Sequence, residues 1–168
     1  MTSGAIGQKG LYSIAFIGAL AAIVSHIPED CTWGDDGPPM FLVPDSLAAL
    51  HGLARYWQRR HRADVIGVTG SVGKTTTKEV TAAVLGQRGP VLFSEGNLNT
   101  EIGLPLTLMR LRPHHHAVVL EMGMHAIGDI RLLASIAEPR IGIVTNVQSS
   151  HLERLGSLER IADAKAFE

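Results

Sequence analysis

The run Thr69-Gly70-Ser71-Val72-Gly73-Lys74-Thr75-Thr76-Thr77 constrains the fold more than any other stretch of this chain. It follows an apolar run, Val65–Thr69, that reads as a strand, and it opens Thr75–Leu85, which reads as a helix. Glycines let the backbone curl so that several N–H groups converge on one anion, at the positive end of the following helix. Thr69, Gly70, Ser71, Val72, Gly73, Lys74, Thr75 and Thr76 are therefore the expected nucleotide-binding residues. Lys74 is expected to reach the β- and γ-phosphates of ATP, and the Thr75 hydroxyl to coordinate Mg²⁺. The usual form of such a loop has a further glycine where this chain has Val68, flanked by Gly67 and Gly70. The plainer alternative is a Gly/Thr-rich turn with a surface lysine, and the strand–loop–helix context favours the phosphate loop over it.

The surroundings extend the pattern. Val91–Phe93, Ala117–Met122 and Ile141–Asn146 read as strands, and Ile102–Leu111, Ile127–Ile136 and Ser157–Phe167 as helices. The strands are continuous apolar runs, as expected where helices cover both faces of a sheet. Alternating strands and helices imply an α/β fold with a parallel sheet and flanking helices. Before this region, Met40–Val43 reads as a short strand. Asp45 or Ser46 can cap a helix whose apolar face carries Leu47, Leu50, Ala54 and Trp57. That helix ends in Arg59, Arg60, His61 and Arg62, cations that complement a helix C-terminus or else form a phosphate patch. A domain boundary is expected near Ala63. Residues 1–62 would be the end of a smaller α/β domain, and residues 63–168 the first half of an ATP-binding domain. The chain stops inside a predicted helix, which gives the expectation of a larger protein.

Composition narrows the partners. Fifteen Lys and Arg against 16 Asp and Glu leave a formal charge of −1, so no global field favours nucleic acid. Forty-five per cent hydrophobic residues suffice for a core, and the lone Cys31 excludes an internal disulfide framework. Leu11–Ile27 resembles the apolar part of a signal peptide, but its uninterrupted stretch, Ile14–Val24, falls short of the roughly 20 residues of a membrane span. A buried helix running into a strand is the preferred reading, and no membrane span is expected.

Further candidates lie at predicted strand ends, where open α/β sheets bind ligands. Glu121 closes a strand and could hold the magnesium of a nucleotide, or be a solvated strand-end charge. His151, just past Ile141–Asn146, could ligate a metal or contact phosphate, or be an ordinary loop histidine. Lys165 shares an apolar helical stripe with Leu158, Ile161 and Ala162, so it either snorkels to water or has a task. One such task is carbamate formation, which would turn the amine into an anionic magnesium ligand. Asn97, Asn99 and Thr100 precede a helix and could bind substrate or phosphate, or cap that helix. His114, His115 and His116 cannot all face one ion and read as a solvated connection.

Taken together, Gly67–Glu79, the stretch Asn97–Leu108 (NLNTEIGLPLTL), Glu121-Met122-Gly123, Gly128-Asp129-Ile130, Thr145-Asn146-Val147, His151-Leu152-Glu153 and Ile161–Lys165 resemble the Mur ligases in this order. The branch most resembled joins D-alanyl-D-alanine to UDP-N-acetylmuramoyl-tripeptide. Folylpolyglutamate and cyanophycin-type ligases share the phosphate loop but are less similar across Asn97–Leu108. Thr100 stands where the family often has a second asparagine, and Phe167 where an acidic residue is usual.

The resemblance implies a cytoplasmic, monomeric ATP-dependent ligase of peptidoglycan synthesis, working through an acyl phosphate. It gives Lys74 to the γ-phosphate, and Thr75 with Glu121 to one Mg²⁺. His151 and a carbamylated Lys165 go to a second Mg²⁺, and Asn97, Asn99 and Thr100 to the substrate side. It also implies that adenine and dipeptide contacts lie outside this chain. The chain alone would then be inactive, or would bind nucleotide without catalysis, and would leave an exposed sheet edge.

Overall fold

A computed structural model describes residues 20–27 and 39–147. The chain forms two compact units, divided between Ala49 and Leu50. The first contains a parallel pair of short strands, β1 (Ala22–Val24) and β2 (Met40–Leu42), with Ala22 opposite Met40. The described part of Leu11–Ile27 contains the expected strand, but it is not the buried one of the preferred reading: Ala22 is buried, whereas Leu20, Ile23 and Ile27 are exposed; residues 11–19 lie outside the described residues. No helix among the described residues is long and apolar enough to cross a membrane.

The division falls within helix α1 (Ser46–Arg59). Asp45, rather than Ser46, caps it: the Asp45 Oδ1 accepts the N–H of Leu47 at 2.8 Å and of Ala48 at 3.0 Å. From Leu50 onward α1 joins the core of the second unit. Ala54 is fully buried there, Trp57 packs beside it, and the Trp57 indole N–H donates to the Leu111 carbonyl at 3.1 Å. Packing therefore ties this half of the helix to the residues that follow Ala63. At its end, Arg59 pairs with the carboxylate of Glu138, and Arg60 donates to the Tyr56 hydroxyl. The Arg59 guanidinium, by hydrogen bond and charge, holds the Glu138 carboxyl below the usual carboxylate range.

The second unit is built on four parallel strands: β3 (Asp64–Thr69), β4 (Val91–Phe93), β5 (Ala117–Glu121) and β6 (Ile141–Val144). Their order across the sheet is β4-β5-β3-β6. Side chains alternate between its two faces. On one face Val65, Val118 and Leu120 pack with residues of α1, α3 (Gly103–Leu108) and α4 (Asp129–Ala137). On the other, Ile66, Val68, Ala117 and Val119 pack against Ala82 and Leu85 of α2 (Lys74–Gly86). β3 and β5 are buried almost throughout, as continuous apolar runs predict, but β6 is not. Ile141 and Val144 are 51% and 45% exposed, and among the described residues β6 has a partner on one side alone.

Five predicted elements are shorter than expected, Met40–Val43 and Ala117–Met122 by one residue and three others by two or more at one end. The helix expected over Ile102–Leu111 ends at Leu108, because Arg110 and Leu111 close i→i−3 turns ahead of Pro113. The helix expected from Ile127 starts at Asp129, whose Oδ2 accepts the N–H groups of His125 and Ala126. The strand expected to reach Asn146 stops at Val144, since Thr145 and Asn146 turn to the phosphate loop. Ser157–Phe167 lies outside the described residues. The histidine run is less solvated than expected: His115 accepts the Arg112 N–H, and His116 is hydrogen-bonded to the Gly89 carbonyl. It is a structural connection, and among the described residues no group of three His, Cys, Asp or Glu is placed to hold a metal.

Helix α3 is six residues long, under two turns and too short to stand on propensity alone. It exists because Leu104 and Leu108 are fully buried, whereas Leu106 is 47% exposed. Leu108→Ala is expected to lower unfolding free energy by about 2–5 kcal/mol in urea titrations. Leu106→Ala, a truncation of the same size, should cost less than about 1 kcal/mol. Equal losses would remove core packing as the reason for this helix.

Candidate phosphate and magnesium site

The residues after β3 form a tight turn that leads directly into α2. Gly73 has φ 84° at the helix start, a left-handed conformation that suits glycine. At Gly70 the reason for glycine is contact: a Cβ there would lie 1.9 Å from the Thr145 hydroxyl. The loop is braced from the end of β6. The Asn146 Oδ1 accepts the N–H of Ser71 at 3.1 Å and of Val72 at 2.9 Å. The Val72 carbonyl in turn accepts from the Thr145 hydroxyl at 2.7 Å and the Asn146 amide at 3.1 Å. The Lys74 ammonium folds over the turn onto the Gly70 carbonyl at 2.9 Å. Thr69 is fully buried, and its hydroxyl donates to the Met122 carbonyl, which locks the ends of β3 and β5 together.

Parallel pairing of β3 with β5 sets Val68 opposite Glu121. That register carries the Glu121 side chain to the α2 face of the sheet, below the first turn of α2. Its carboxylate is 5% exposed and is held on both oxygens. Oε2 accepts the Thr75 hydroxyl at 2.8 Å, and Oε1 accepts the Asn99 side-chain N–H at 2.9 Å. The Glu121 backbone N–H donates to the hydroxyl of buried Ser94 at 3.1 Å. The Lys78 ammonium, 2% exposed, stands 4.0 Å from Oε2 and 5.9 Å above the Phe93 ring. A hydroxyl and a carboxylate oxygen side by side are hard donors, the kind magnesium takes together with nucleotide phosphates. The donor set therefore fits that ion.

Thr69 through Thr76 and Glu121 gather at the shared end of β3 and β5. Asn99 joins them through its bond to Glu121. Thr100 lies one residue on, where its hydroxyl accepts the Gly103 N–H at the start of α3. The Asn97 carbonyl accepts the N–H of Asn99 at 2.8 Å, and the residue is otherwise exposed. His151 and Lys165 lie outside the described residues. Lys78, Ser94, Thr145 and Asn146 also build the site, although sequence reading gave none of them a role. For Lys78 a signal existed: it shares a helical stripe with Ala82 and Leu85, the pattern that singled out Lys165. For Asn146 the signal was its place in Thr145-Asn146-Val147, one of the stretches that carry the resemblance, but its contact with Ser71 and Val72 depends on the pairing of β6 with β3.

The fold is shared with known proteins. A family model described as the Mur ligase middle domain matches residues 68–167. A UDP-N-acetylmuramoyl-tripeptide–D-alanyl-D-alanine ligase of Synechocystis is 52% identical over 125 residues, 74% of this chain and 28% of that protein. The Bacillus subtilis ligase of the same name is 48% identical over 126 residues, 75% of this chain and 28% of that protein. Among solved structures, MurF from Acinetobacter baumannii superimposes with a TM-score of 0.83 at 32% identity, covering 94% of this chain and 34% of that one. MurF ligase from Thermotoga maritima in complex with ADP gives 0.78 at 39% identity, covering 94% of this chain and 36% of that one. The chain thus spans between a quarter and two fifths of the length of these relatives. With the family model reaching from the strand before the phosphate loop almost to the last residue, the chain belongs to the Mur ligase family.

Proposed function

We propose that this chain carries the phosphate-binding half of a ligase that uses ATP to join D-alanyl-D-alanine to UDP-N-acetylmuramoyl-tripeptide in peptidoglycan synthesis. The observation that carries the proposal is the Thr75–Glu121 pair, set beside a glycine loop with Lys74 at its head. The relatives' names supply the substrates. Residues 1–62 would then finish a UDP-substrate domain, and residues 63–168 would begin the ATP domain of a cytoplasmic, monomeric enzyme.

The chemistry asks for alignment and charge neutralisation more than for a covalent side chain. The tripeptide carboxylate attacks the γ-phosphorus of ATP and releases ADP. The dipeptide amine then attacks the acyl phosphate carbon, loses a proton and expels inorganic phosphate. Lys74, freed from the Gly70 carbonyl, stabilises negative charge on the γ-phosphoryl oxygens. The amides of Gly73, Lys74 and Thr75 open the helix toward the phosphates. Thr75 and Glu121 would hold a magnesium ion, which when bound draws charge from the β- and γ-phosphates. Asn99 keeps the carboxylate of Glu121 turned toward Thr75. Asn97, Asn99 and Thr100 sit on the substrate side. His151 and a carbamylated Lys165 would serve a second magnesium.

Fluorescent mant-ATP with Mg²⁺ tests the site in this chain. Lys74→Ala removes a charged hydrogen-bond donor worth about 1.5–3 kcal/mol, so affinity should fall roughly 10- to 150-fold. Glu121→Gln should instead raise the Mg²⁺ concentration needed for half-maximal binding while leaving Mg²⁺-free binding unchanged. Unaltered binding in Lys74→Ala would sink the phosphate-loop assignment. For Lys165, ligase activity of the chain within its complete enzyme should rise with bicarbonate and lose that dependence in Lys165→Arg. Bicarbonate-independent activity would exclude the carbamate.

A further inference from the structure

Lys78 is a cation inside the core, and the phosphate-site reading leaves it without a task. Its neighbours on the inner stripe of α2, Ala82 and Leu85, are apolar. An ammonium there costs desolvation that must be returned by a partner. The partner is Glu121, but the geometry is unusual for a structural ion pair. At 4.0 Å the Lys78 nitrogen lies beyond hydrogen-bond reach of the carboxylate. Asn99 and Thr75 already take one bond on each carboxylate oxygen. Lys78 therefore acts on Glu121 through charge and leaves the remaining oxygen lone pairs open. The Phe93 ring, 5.9 Å from the ammonium, helps hold it in place.

We propose that Lys78 makes cation uptake at the Thr75–Glu121 pair conditional on nucleotide, by neutralising Glu121 so that the site alone does not draw a divalent ion. The inference rests on the reading that this pair holds the nucleotide's magnesium. Glu121 and Lys78 together carry no net charge, and a neutral pair with one hydroxyl cannot repay the dehydration of magnesium. The phosphates of a bound nucleotide add several negative charges beside the same oxygens and tip the balance. Metal then arrives with ATP rather than before it, and the phosphate loop does not receive a triphosphate against a pre-bound ion. Lys78 is a positioning and charge-setting residue, since it touches neither phosphate nor metal in this arrangement.

Manganese, visible by electron paramagnetic resonance, serves as the probe on the full 168-residue chain. Without nucleotide, the wild type and Lys78→Arg should take up little Mn²⁺. Lys78→Met should bind it at least roughly tenfold more tightly, because a like charge a few ångströms from the ion has been removed. Adding Glu121→Gln to Lys78→Met should erase the gain, which a merely structural role for Lys78 would not produce. Circular dichroism checks folding, and Lys78→Gln, neutral but still polar, carries the same test if the methionine variant does not fold. A folded neutral variant with wild-type Mn²⁺ uptake overturns the inference while leaving the phosphate site intact. If the wild type binds no mant-ATP even with Mn²⁺, the underlying site reading fails and takes this inference with it.

Discussion

A carboxylate removed from water needs partners, and the second unit is arranged so that each oxygen of Glu121 accepts a hydrogen bond with a cation close by. Two segments far apart in sequence supply the carboxylate's partners, Thr75 and Lys78 from α2 and Asn99 from the loop before α3, while Ser94, just after β4, accepts the Glu121 backbone N–H. Each depends on a different piece of the architecture. The parallel pairing of β3 and β5 sets the height of the carboxylate, and the docking of α2 on the sheet sets its cation. An unpaired charge at this depth would cost several kcal/mol, so the native arrangement of these segments is favoured together or not at all.

The sheet order explains why this site lies where it does. β3, which feeds the phosphate loop, has neighbours on both sides, and both neighbours end beside the loop. β5 contributes the carboxylate, and β6 contributes Thr145 and Asn146. The two faces of the sheet divide the labour. The α1, α3 and α4 face is a packed apolar core. The α2 face mixes apolar packing with the polar apparatus near the strand ends. Of the buried polar side chains among the described residues, Thr69, Lys78, Ser94 and Glu121 lie at this end of the sheet, and Thr107 sits within α3 with its hydroxyl donating to the Gly103 carbonyl.

Much of this was legible in the sequence, for local reasons. Val91–Phe93 is bounded by Gly89-Pro90 and a polar loop, so its limits were plain, and Ala117–Glu121 is an unbroken apolar run closed by a charge. The tight turn between β3 and α2 announced itself by its glycines. Element ends were less legible, because tertiary contacts fix them. Leu108 ends α3 where the following turn tightens, and Asn146 leaves its strand to reach Ser71 and Val72. Thr100, expected to face a substrate or cap a helix, accepts a helix-start amide, while Asn99 beside it serves Glu121. Nothing in the spacing of NLNT separates those two roles. Only the approach of β5 does.

The brace from Asn146 to the phosphate loop has a thermodynamic consequence. The amides of Ser71 and Val72 already spend their hydrogens on neutral oxygens of Asn146, both on its carboxamide oxygen and Ser71 on its backbone carbonyl as well. Any anion that recruits those amides therefore makes an exchange, displacing their bonds to Asn146 for the ones it gains. Such a swap favours multiply charged groups, whose attraction to aligned amides exceeds that of a carboxamide, over weak singly charged competitors. It also sends a message along the chain. When Asn146 is released its side chain must find other partners, and the residues immediately after β6 are the first to feel whether phosphate has been bound.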